Sequence, residues 1–211
     1  MKYKLAIFDF DGTLADSAGW VSRVINEVAR RHRFRELADA EIEMLRGRSN
    51  GEIIRYMQVP TWKLPAIAAD MRRRMAVDAE SIPLFEGITD MLKSVKEAGV
   101  AVAIVSSNSE ANVRRILGVE TVAAVDTFEC GAGLFGKAHK FRKVMKRLGV
   151  APPETICIGD ETRDIEAAAA VGAASGAALW GYATTKVLAQ LKPTLTFATP
   201  ADITRMVRRD G

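Results

Sequence analysis

Short apolar runs alternate with longer amphipathic stretches along most of this chain. The runs have the length and the β-branched content of buried strands, and the stretches repeat apolar residues with the period of a helix. The predicted strands are Lys4–Phe10, Val100–Ser106, Val125–Glu129, Thr155–Asp160 and Ala177–Trp180. The predicted helices are Thr89–Ala98, Glu110–Leu117, Lys140–Leu148, Asp164–Val171 and Thr185–Leu191. Because near-continuously apolar strands need helices over both sheet faces, the pattern predicts an α/β fold with a parallel sheet.

One long segment interrupts this alternation. From Asp16 to Ile82 the chain shows helical patterns rich in Arg, Glu, Met and Ala, and no convincing strand. The stretch Ser81–Gly87, which contains Pro and Gly, is the predicted return linker, and Ala15–Gly19 is the predicted exit. We therefore predict an α/β core formed by residues 1–15 and 83–211, with an all-helical domain of residues 16–82 inserted after the first strand.

Composition sets the broad class of the protein. The 211 residues are 48% hydrophobic and 27% charged, which is ordinary for a globular domain. The net charge of +4 suits anionic small molecules but is too weak to predict nucleic-acid binding. The sequence has neither an apolar stretch of membrane-spanning length nor a signal-peptide pattern, so we expect a soluble, cytoplasmic protein without a membrane partner, as a monomer or homodimer. Cys157 lies in an apolar run and is predicted to be a buried thiol.

Polar residues follow three of the predicted strands at the points where those strands end. Asp9 and Asp11 follow the first strand, Ser106-Ser107-Asn108 the second and Gly159-Asp160 the fourth. Ligands of open α/β sheets bind outside the carboxyl ends of the strands. The three clusters are therefore expected to meet in one crevice, and this convergence carries more weight than any single motif.

Asp9 and Asp11 are alternate residues, so both side chains can face the same site. A carboxylate can attack phosphorus when a cation lowers the repulsion between the two anions. A second carboxylate can protonate the leaving oxygen and then activate water. Gly12 permits a sharp turn beside them. The alternative is an ordinary Asp-Gly turn, which leaves unexplained why Asp9 ends a buried strand.

Ser106 and Ser107 stand where the second strand passes into a helix. A hydroxyl group and backbone N–H groups at such a point form an anion site, which predicts phosphate binding. The competing interpretation is that Ser107 and Glu110 form a capping box, which needs no ligand. The two interpretations are compatible if Ser107 caps the helix and Ser106 binds phosphate.

Asp160 and Asp164 lie four residues apart across a predicted strand-to-helix turn. Together with Asp9 they would give the all-oxygen environment that Mg²⁺ prefers. Asp164 could instead simply favour the first turn of the helix by its charge. A site so rich in carboxylates also needs a fixed cation, for which Lys137 and Lys140 are the candidates, and Lys137 is preferred because it is nearer the glycines.

In these motifs the chain resembles the haloacid dehalogenase (HAD) superfamily, and within it the phosphoglycolate-phosphatase-like subgroup with a helical cap. The first motif is Asp9-Phe10-Asp11-Gly12-Thr13-Leu14 and the second is Val105-Ser106-Ser107-Asn108. Lys137 or Lys140 fits the third motif, although Ala138 replaces the proline that commonly follows its lysine, and Gly159-Asp160 through Asp164 fits the fourth. The resemblance covers essentially the whole chain and implies a Rossmann-like core.

The resemblance implies an Mg²⁺-dependent phosphatase that acts on a small phosphate monoester through an aspartyl-phosphate. Asp9 would be the nucleophile, and Asp11 the general acid/base that also offers its backbone carbonyl to Mg²⁺. Ser106 would bind phosphate and Lys137 would clamp the charge. Asp160 and Asp164 would surround the metal. The alternatives are a phosphomutase of the same fold, which would return the phosphoryl group to a bisphosphate, and a catalytically silent binding protein.

The cap of this superfamily carries much of the substrate choice. The segment Leu45–Gly51 joins two helical patterns and offers Arg46 and Arg48 as candidates for binding a second anionic group of the substrate. An ordinary polar helix connection explains the segment equally well. The basic runs Arg30–Arg35 and Arg72–Arg74 are predicted to be solvated helix faces.

Overall fold

The computed structural model describes residues 3–45, 48, 50–131 and 136–209. Six parallel strands form one sheet in the order β3-β2-β1-β4-β5-β6. The strands are β1 Leu5–Phe8, β2 Ala101–Val105, β3 Thr127–Glu129, β4 Thr155–Gly159, β5 Ala174–Ala178 and β6 Leu195–Phe197. The helices outside the segment between β1 and β2 are α6 Glu110–Val122, α7 Lys137–Leu148, α8 Thr162–Val171, α9 Thr185–Gln190 and α10 Pro200–Arg209. The predicted α/β fold with a parallel sheet is confirmed.

Alternate residues of the central strands enter two separate cores. Ala6 and Phe8 of β1 join the core that includes the helix α5, Ile88–Glu97, whereas Leu5 and Ile7 join the core beneath α7 and α8. All four residues are buried. Both faces of the sheet are therefore covered, which is why its strands are nearly continuous in apolar residues. Cys157 of β4 lies in the second core as a buried thiol, as predicted.

The register of the sheet aligns the strand ends that matter for the site. Phe8 pairs with Ile104 of β2 on one side and with Ile158 of β4 on the other. The backbone N–H of Asp9 also donates to the carbonyl of Ile158 at 2.9 Å. The residues that follow these positions consequently emerge at one edge of the sheet, beside each other.

The sequence pattern placed the fifth strand at Ala177–Trp180, and this is wrong by three residues at its start. The strand Ala174–Ala178 contains no β-branched residue, so its periodic signal is weak. Gly176 is required because a Cβ there would lie 2.7 Å from the ring of Phe197. The sequence pattern also missed β6, which has three residues, and α10.

Helices fill the segment between β1 and β2, as predicted. They are α1 Ala18–His32, α2 Asp39–Met44, α3 Asn50–Tyr56, α4 Leu64–Asp78 and α5 Ile88–Glu97, the last of which covers the sheet. A small apolar cluster of Leu37, Leu45 and Met57 holds the region around α2 and α3 together. Trp20 of α1 and Met75 of α4 join the main core instead. The division into a core and a cap of residues 16–82 stays a prediction.

The two connecting segments, by which the chain leaves the sheet for this helical region and returns to it, lie next to each other. Ala15 forms β-bridges with Asp11 and with Leu84, and the N–H of Phe85 donates to the carbonyl of Leu14 at 3.0 Å. The exit and the return are therefore side by side, next to the first motif. No helix of the described ranges has the length and apolar character needed to cross a bilayer.

Candidate active site

Three aspartates from two neighbouring strand ends form a buried acidic cluster. Asp9 follows β1, Asp160 follows β4, and Asp164 lies in the first turn of α8. One carboxylate oxygen of each lies within 4.8 Å of the others, and all three side chains are buried. Buried carboxylates at such separations repel one another unless a cation lies between them. The all-oxygen donor set fits Mg²⁺ or a similar hard cation.

The carboxylates approach this closely because glycines surround them. A Cβ atom at Gly12 or Gly181 would overlap Asp160, and a Cβ at Gly159 would overlap the carboxylate of Asp164. Gly12 also adopts a φ of +82°, a conformation that other residues rarely occupy. The backbone is therefore shaped around the acidic cluster itself.

Lys137 is the lysine that reaches this cluster. Its Nζ atom lies 2.7 Å from Oδ2 of Asp9 and forms a second ion pair with Asp164. Burial alone would lower the pKa of the Lys137 ammonium group, but the charges of Asp164 and Asp9 raise it overall. Lys140 lies one turn further along α7 and pairs with Glu129 at 2.9 Å. The choice of Lys137 over Lys140 therefore agrees with the geometry, although its catalytic role stays a prediction.

Asp9 has one oxygen that the surrounding residues satisfy poorly. In the described part of the chain, Oδ2 of Asp9 is buried and accepts no hydrogen bond of good geometry, despite the nearby Lys137. Buried polar atoms are normally hydrogen-bonded, so an unsatisfied oxygen at this point indicates a missing partner. A metal ion or an electrophilic group would supply one.

Asp11 faces a different environment from that of Asp9. Its Oδ1 accepts a hydrogen bond of 2.9 Å from the Ser17 hydroxyl, which in turn lies 2.6 Å from the hydroxyl of Tyr182. Burial raises the pKa of Asp11 to about 6, and the charge of Asp9 adds to the rise. A carboxyl group whose pKa lies near neutrality can both donate and accept a proton, which is what a general acid/base requires.

Asp160 is held by two hydrogen bonds that leave little freedom to its carboxylate. Thr13 Oγ1 donates to Oδ1 at 2.6 Å, and the backbone N–H of Tyr182 donates to Oδ2 at 2.8 Å. Burial, followed by the charge of Asp164, raises the pKa of Asp160 well above its usual range. In the absence of a cation the protein therefore carries a substantial electrostatic cost at this carboxylate.

Asp164 serves two structural partners at once. Its Oδ2 accepts from the backbone N–H of Glu161 at 2.9 Å, and its Oδ1 pairs with Lys137. Asp164 therefore also has a structural role in the first turn of α8, because it accepts from the backbone N–H of the N-cap residue Glu161. This role is compatible with a place in the acidic cluster.

The serines after β2 divide their roles differently from the prediction. Ser106 is buried, and its hydroxyl accepts from the N–H of Asn108 at 3.0 Å. The N-cap of α6 is Ser109, whose hydroxyl accepts from the N–H of Asn112 at 3.2 Å. The predicted capping box of Ser107 and Glu110 is therefore wrong, because the helix begins two residues later than that motif requires. Phosphate binding by Ser106 and Ser107 stays a prediction.

The predicted substrate loop is only partly described. It joins α2 and α3, as the sequence indicated. Arg46 lies outside the described residues. The Arg48 side chain is 58% exposed and forms an ion pair of 3.3 Å with Glu52, which lies in the adjacent helix α3. This contact suits a polar helix connection, and a substrate role for Arg46 or Arg48 stays a prediction.

The basic runs of the helical segment were predicted to be solvated faces, and this is wrong for part of them. Side chains from both runs converge on Asp70 of α4, which is 2% exposed. His32 Nε2 lies 3.0 Å from Oδ2 of Asp70, and nitrogen atoms of Arg31 and Arg74 lie within 3.7 Å of the same oxygen. Burial alone would raise the pKa of Asp70, but His32 and Arg31 lower it overall. Here the charge run stabilises a buried carboxylate.

Tyr182 and Arg163 were not predicted as site residues, because the sequence assigned no role to Arg163 and left Tyr182, like Trp180, open between lining the crevice and packing in the core. Both lie in the site, since Tyr182 links Asp160 to the Ser17–Asp11 pair, and the Arg163 guanidinium lies 3.9 Å from Oδ2 of Asp9. The available signal was position, because Arg163 lies four residues beyond the end of β4 and Tyr182 four residues beyond the end of β5. The Nε1–H of Trp180 donates to the carbonyl of Thr13 at 2.9 Å, beside the first motif.

Known proteins resemble this chain over nearly its whole length. The family model described as "Haloacid dehalogenase-like hydrolase" matches residues 6–178. A phosphoglycolate phosphatase of Synechococcus elongatus is 29% identical over 95% of this chain and 95% of its own. A phosphoglycolate phosphatase of Xylella fastidiosa is 30% identical over 85% of this chain and 81% of its own.

Solved structures show the same fold. The structure of CbbY from Rhodobacter sphaeroides in complex with phosphate superposes with a TM-score of 0.75 at 20% identity, over 95% of this chain and 96% of that one. At this identity the similarity establishes the architecture and not the chemistry.

Proposed function

The chain belongs to the haloacid dehalogenase-like hydrolase family and is a phosphatase, and from that premise we propose that it hydrolyses a small phosphate monoester with Mg²⁺, through an aspartyl-phosphate on Asp9. One observation carries the proposal. The acidic cluster of Asp9, Asp160 and Asp164 is buried at the carboxyl edge of the sheet, with Lys137 paired to Asp9 and Asp164. Such a cluster is costly unless a cation and an anionic substrate use it.

The reaction proceeds in two displacements. A carboxylate oxygen of Asp9 forms a bond to phosphorus while the bond between phosphorus and the leaving oxygen breaks, and Asp11 gives that oxygen a proton. A water molecule then attacks phosphorus, Asp11 takes its proton, and the bond to Asp9 breaks to release inorganic phosphate. Lys137 remains charged throughout and offsets the negative charge of Asp9 and of the phosphoryl group.

The metal would be held by Asp9, Asp160 and Asp164, with the backbone carbonyl of Asp11 as the ligand that the family resemblance implies. When bound, Mg²⁺ supplies a positive charge that reduces the repulsion between the Asp9 carboxylate and the phosphate dianion. Thr13 and the N–H of Tyr182 hold the Asp160 carboxylate in one orientation for this purpose. Ser106, which is buried at the end of β2, binds a phosphate oxygen.

For the substrate we propose a small anionic ester similar to phosphoglycolate. The support is the name shared by relatives from Synechococcus elongatus and Xylella fastidiosa. Arg46 and Arg48 of the loop between α2 and α3 remain candidates for a second anionic group. The proposal also keeps a cytoplasmic location and leaves monomer and homodimer open.

The test is phosphate release with Mg²⁺ across a panel of phosphate esters with and without a carboxylate. We expect wild-type turnover, a loss of at least about 10³-fold in kcat for Asp9→Asn and for Asp11→Asn, and no loss for Asp16→Asn. Asp16 is the matched control because it is an exposed aspartate in the same segment. Unchanged turnover in Asp9→Asn would remove the nucleophile assignment, and transfer of phosphate to a second substrate molecule instead of to water would indicate a mutase.

A further inference from the structure

The fourth motif carries a basic residue for which the proposed mechanism has no role. Arg163 is the second residue of α8 and lies between Asp160 and Asp164 in sequence. We infer that Arg163 is a further catalytic residue, whose guanidinium binds a non-bridging oxygen of the phosphoryl group while Asp9 attacks. The inference rests on the proposed function, and it makes no change to the bonds formed and broken, since Arg163 exchanges no proton.

The position of Arg163 is the first argument. Its Nη2 atom lies 3.9 Å from Oδ2 of Asp9, and the side chain is 24% exposed. That separation is too long for a hydrogen bond, so the guanidinium is near the nucleophile without being occupied by it. A phosphorus atom that bonds to Asp9 would bring its remaining oxygens into the range of this guanidinium.

Glu161 holds the guanidinium in place. Nε and Nη2 of Arg163 each lie 3.0 Å from one oxygen of the Glu161 carboxylate. Because the guanidinium is planar, this side-on contact directs Nη1 away from Glu161. Glu161 therefore engages Nε and Nη2, and a phosphate oxygen would bind at Nη1.

The charge of the site is the second argument. Asp9, Asp11, Asp160, Glu161 and Asp164 set five carboxyl groups against the two cations Lys137 and Arg163. The Arg163 guanidinium stays positive because an arginine side chain is not deprotonated in proteins. A phosphate dianion adds further negative charge, and a cation that is already fixed beside the nucleophile lowers the cost of bringing it in.

The competing explanation is that Arg163 only neutralises Glu161. Three variants separate the two explanations. Arg163→Gln removes both the positive charge and the planar set of N–H donors. Arg163→Lys keeps the charge but loses the planar donors. Glu161→Gln keeps the guanidinium but weakens the ion pair that holds it in place. Arg142→Gln is the matched control, because Arg142 is an exposed arginine of α7 that donates to the carbonyl of Ala170 in α8 at 2.8 Å.

Two measurements are needed for each variant: the Kd for inorganic phosphate by calorimetry with Mg²⁺ present, and kcat/KM for the best ester of the panel. For Arg163→Gln we expect a Kd raised roughly 10-fold and a kcat/KM lowered roughly 100-fold. For Arg163→Lys we expect kcat/KM to fall roughly 10-fold. The fall in kcat/KM for Glu161→Gln should be smaller than that for Arg163→Gln, and Arg142→Gln should leave kcat/KM unchanged. Melting temperatures check that each variant is folded.

The outcomes distinguish this inference from the proposed function. If wild type does not hydrolyse any ester, the proposed function fails. If wild type is active and Arg163→Gln keeps the wild-type Kd for phosphate and the wild-type kcat/KM, the inference about Arg163 is overturned and the phosphatase proposal survives. Equal losses in Arg163→Gln and Glu161→Gln would also overturn it, because the ion pair alone would then explain both. If Arg163→Gln does not fold, Arg163→Lys decides by the same criteria.

Discussion

Two buried charge clusters lie at the same edge of the sheet and are built in opposite ways. Around Glu129, at the end of β3, one carboxylate meets three cations, with Lys140, Lys143 and Arg147 each 2.9 Å from it. Around Asp9, at the end of β1, carboxylates outnumber cations. Although burial alone would raise the pKa of Glu129, Lys140 and Lys143 lower it to about 2, whereas the pKa of Asp160 is raised.

This is the difference that we expect between a structural cluster and the proposed active site. The protein satisfies Glu129 with its own side chains, so that cluster needs nothing further. The cluster around Asp9 contains more carboxyl groups than its own cations offset, and such an excess is relieved either by an added cation or by protonation, to which the raised pKa of Asp160 points in the absence of a cation. Asp70 of α4, which Arg31, His32 and Arg74 surround, belongs to the first kind.

The largest expected difference between the clusters is in activity. Lys137 and Lys140 lie three residues apart on α7, and each belongs to one cluster. Lys137→Met is expected to lower kcat/KM by roughly 10³-fold because it removes the cation beside the nucleophile. Lys140→Met should stay within about 3-fold of wild type, and steady-state kinetics on both variants measures the contrast. Comparable losses would mean that the two clusters are not functionally distinct.

The next prediction concerns the close approach of the carboxylates. Gly181→Ala places a Cβ against Asp160 and the carbonyl of Gly12, so we expect the Kd for Mg²⁺ to rise by roughly 10-fold or more. Gly51→Ala is the control, because it has open space around the new methyl group. Calorimetric titration of Mg²⁺ into both variants checks this, and wild-type affinity in Gly181→Ala would show that the acidic cluster is not the metal site.

Removing the charge of Glu129, the carboxylate of the structural cluster, should lower the stability of the protein without lowering its activity. Glu129→Gln leaves three cations without their partner, and we expect the free energy of unfolding to fall by about 2 kcal/mol, with kcat nearly unchanged. Glu154→Gln breaks an exposed pair with Lys4 and should cost less than about 0.5 kcal/mol. Urea denaturation of both variants gives the two numbers, and equal costs would contradict the distinction.

The pH dependence of that cost has a defined sign. The pKa of Glu129 is lowered in the folded protein to about 2, so its stabilising effect is complete above its unfolded value of about 4.3 and is lost as the pH falls toward 2. The difference in unfolding free energy between wild type and Glu129→Gln should therefore be constant from pH 7 to 5 and shrink below about pH 4.3. Urea denaturation across this range measures it, and a difference that grows on acidification would reverse the account.

The sequence was sufficient for the parts of the site that depend on strand ends. Asp9 and Asp160 were placed correctly because a carboxylate after a buried apolar run is unusual, whichever residues surround it. The sequence favoured Lys137 over Lys140 only through its nearness to the glycines, since both lysines lie on one helix face and the tertiary structure is needed to show which carboxylate each one meets. No role was predicted for Arg163, and Tyr182 was left open between the crevice and the core, because contacts across the sheet edge leave no periodic pattern.

The predictions of the helix cap and of the short strand failed for a local reason. Ser106, Ser107 and Ser109 are all suitable capping residues, and the choice of Ser109 depends on where the chain turns after β2. The strand β6 has only three residues, Leu195–Phe197, and its sequence pattern is too short to separate from a loop.

The most direct test of the central claim is the melting temperature of metal-free protein with and without Mg²⁺. We expect Mg²⁺ to raise the melting temperature of wild type and of Glu129→Gln, but not of Asp164→Asn, which retains an oxygen for the Glu161 N–H yet loses a charge of the acidic cluster. If Mg²⁺ gives Asp164→Asn the same rise as wild type, or gives wild type none, the acidic cluster is not held for a cation and the account is contradicted.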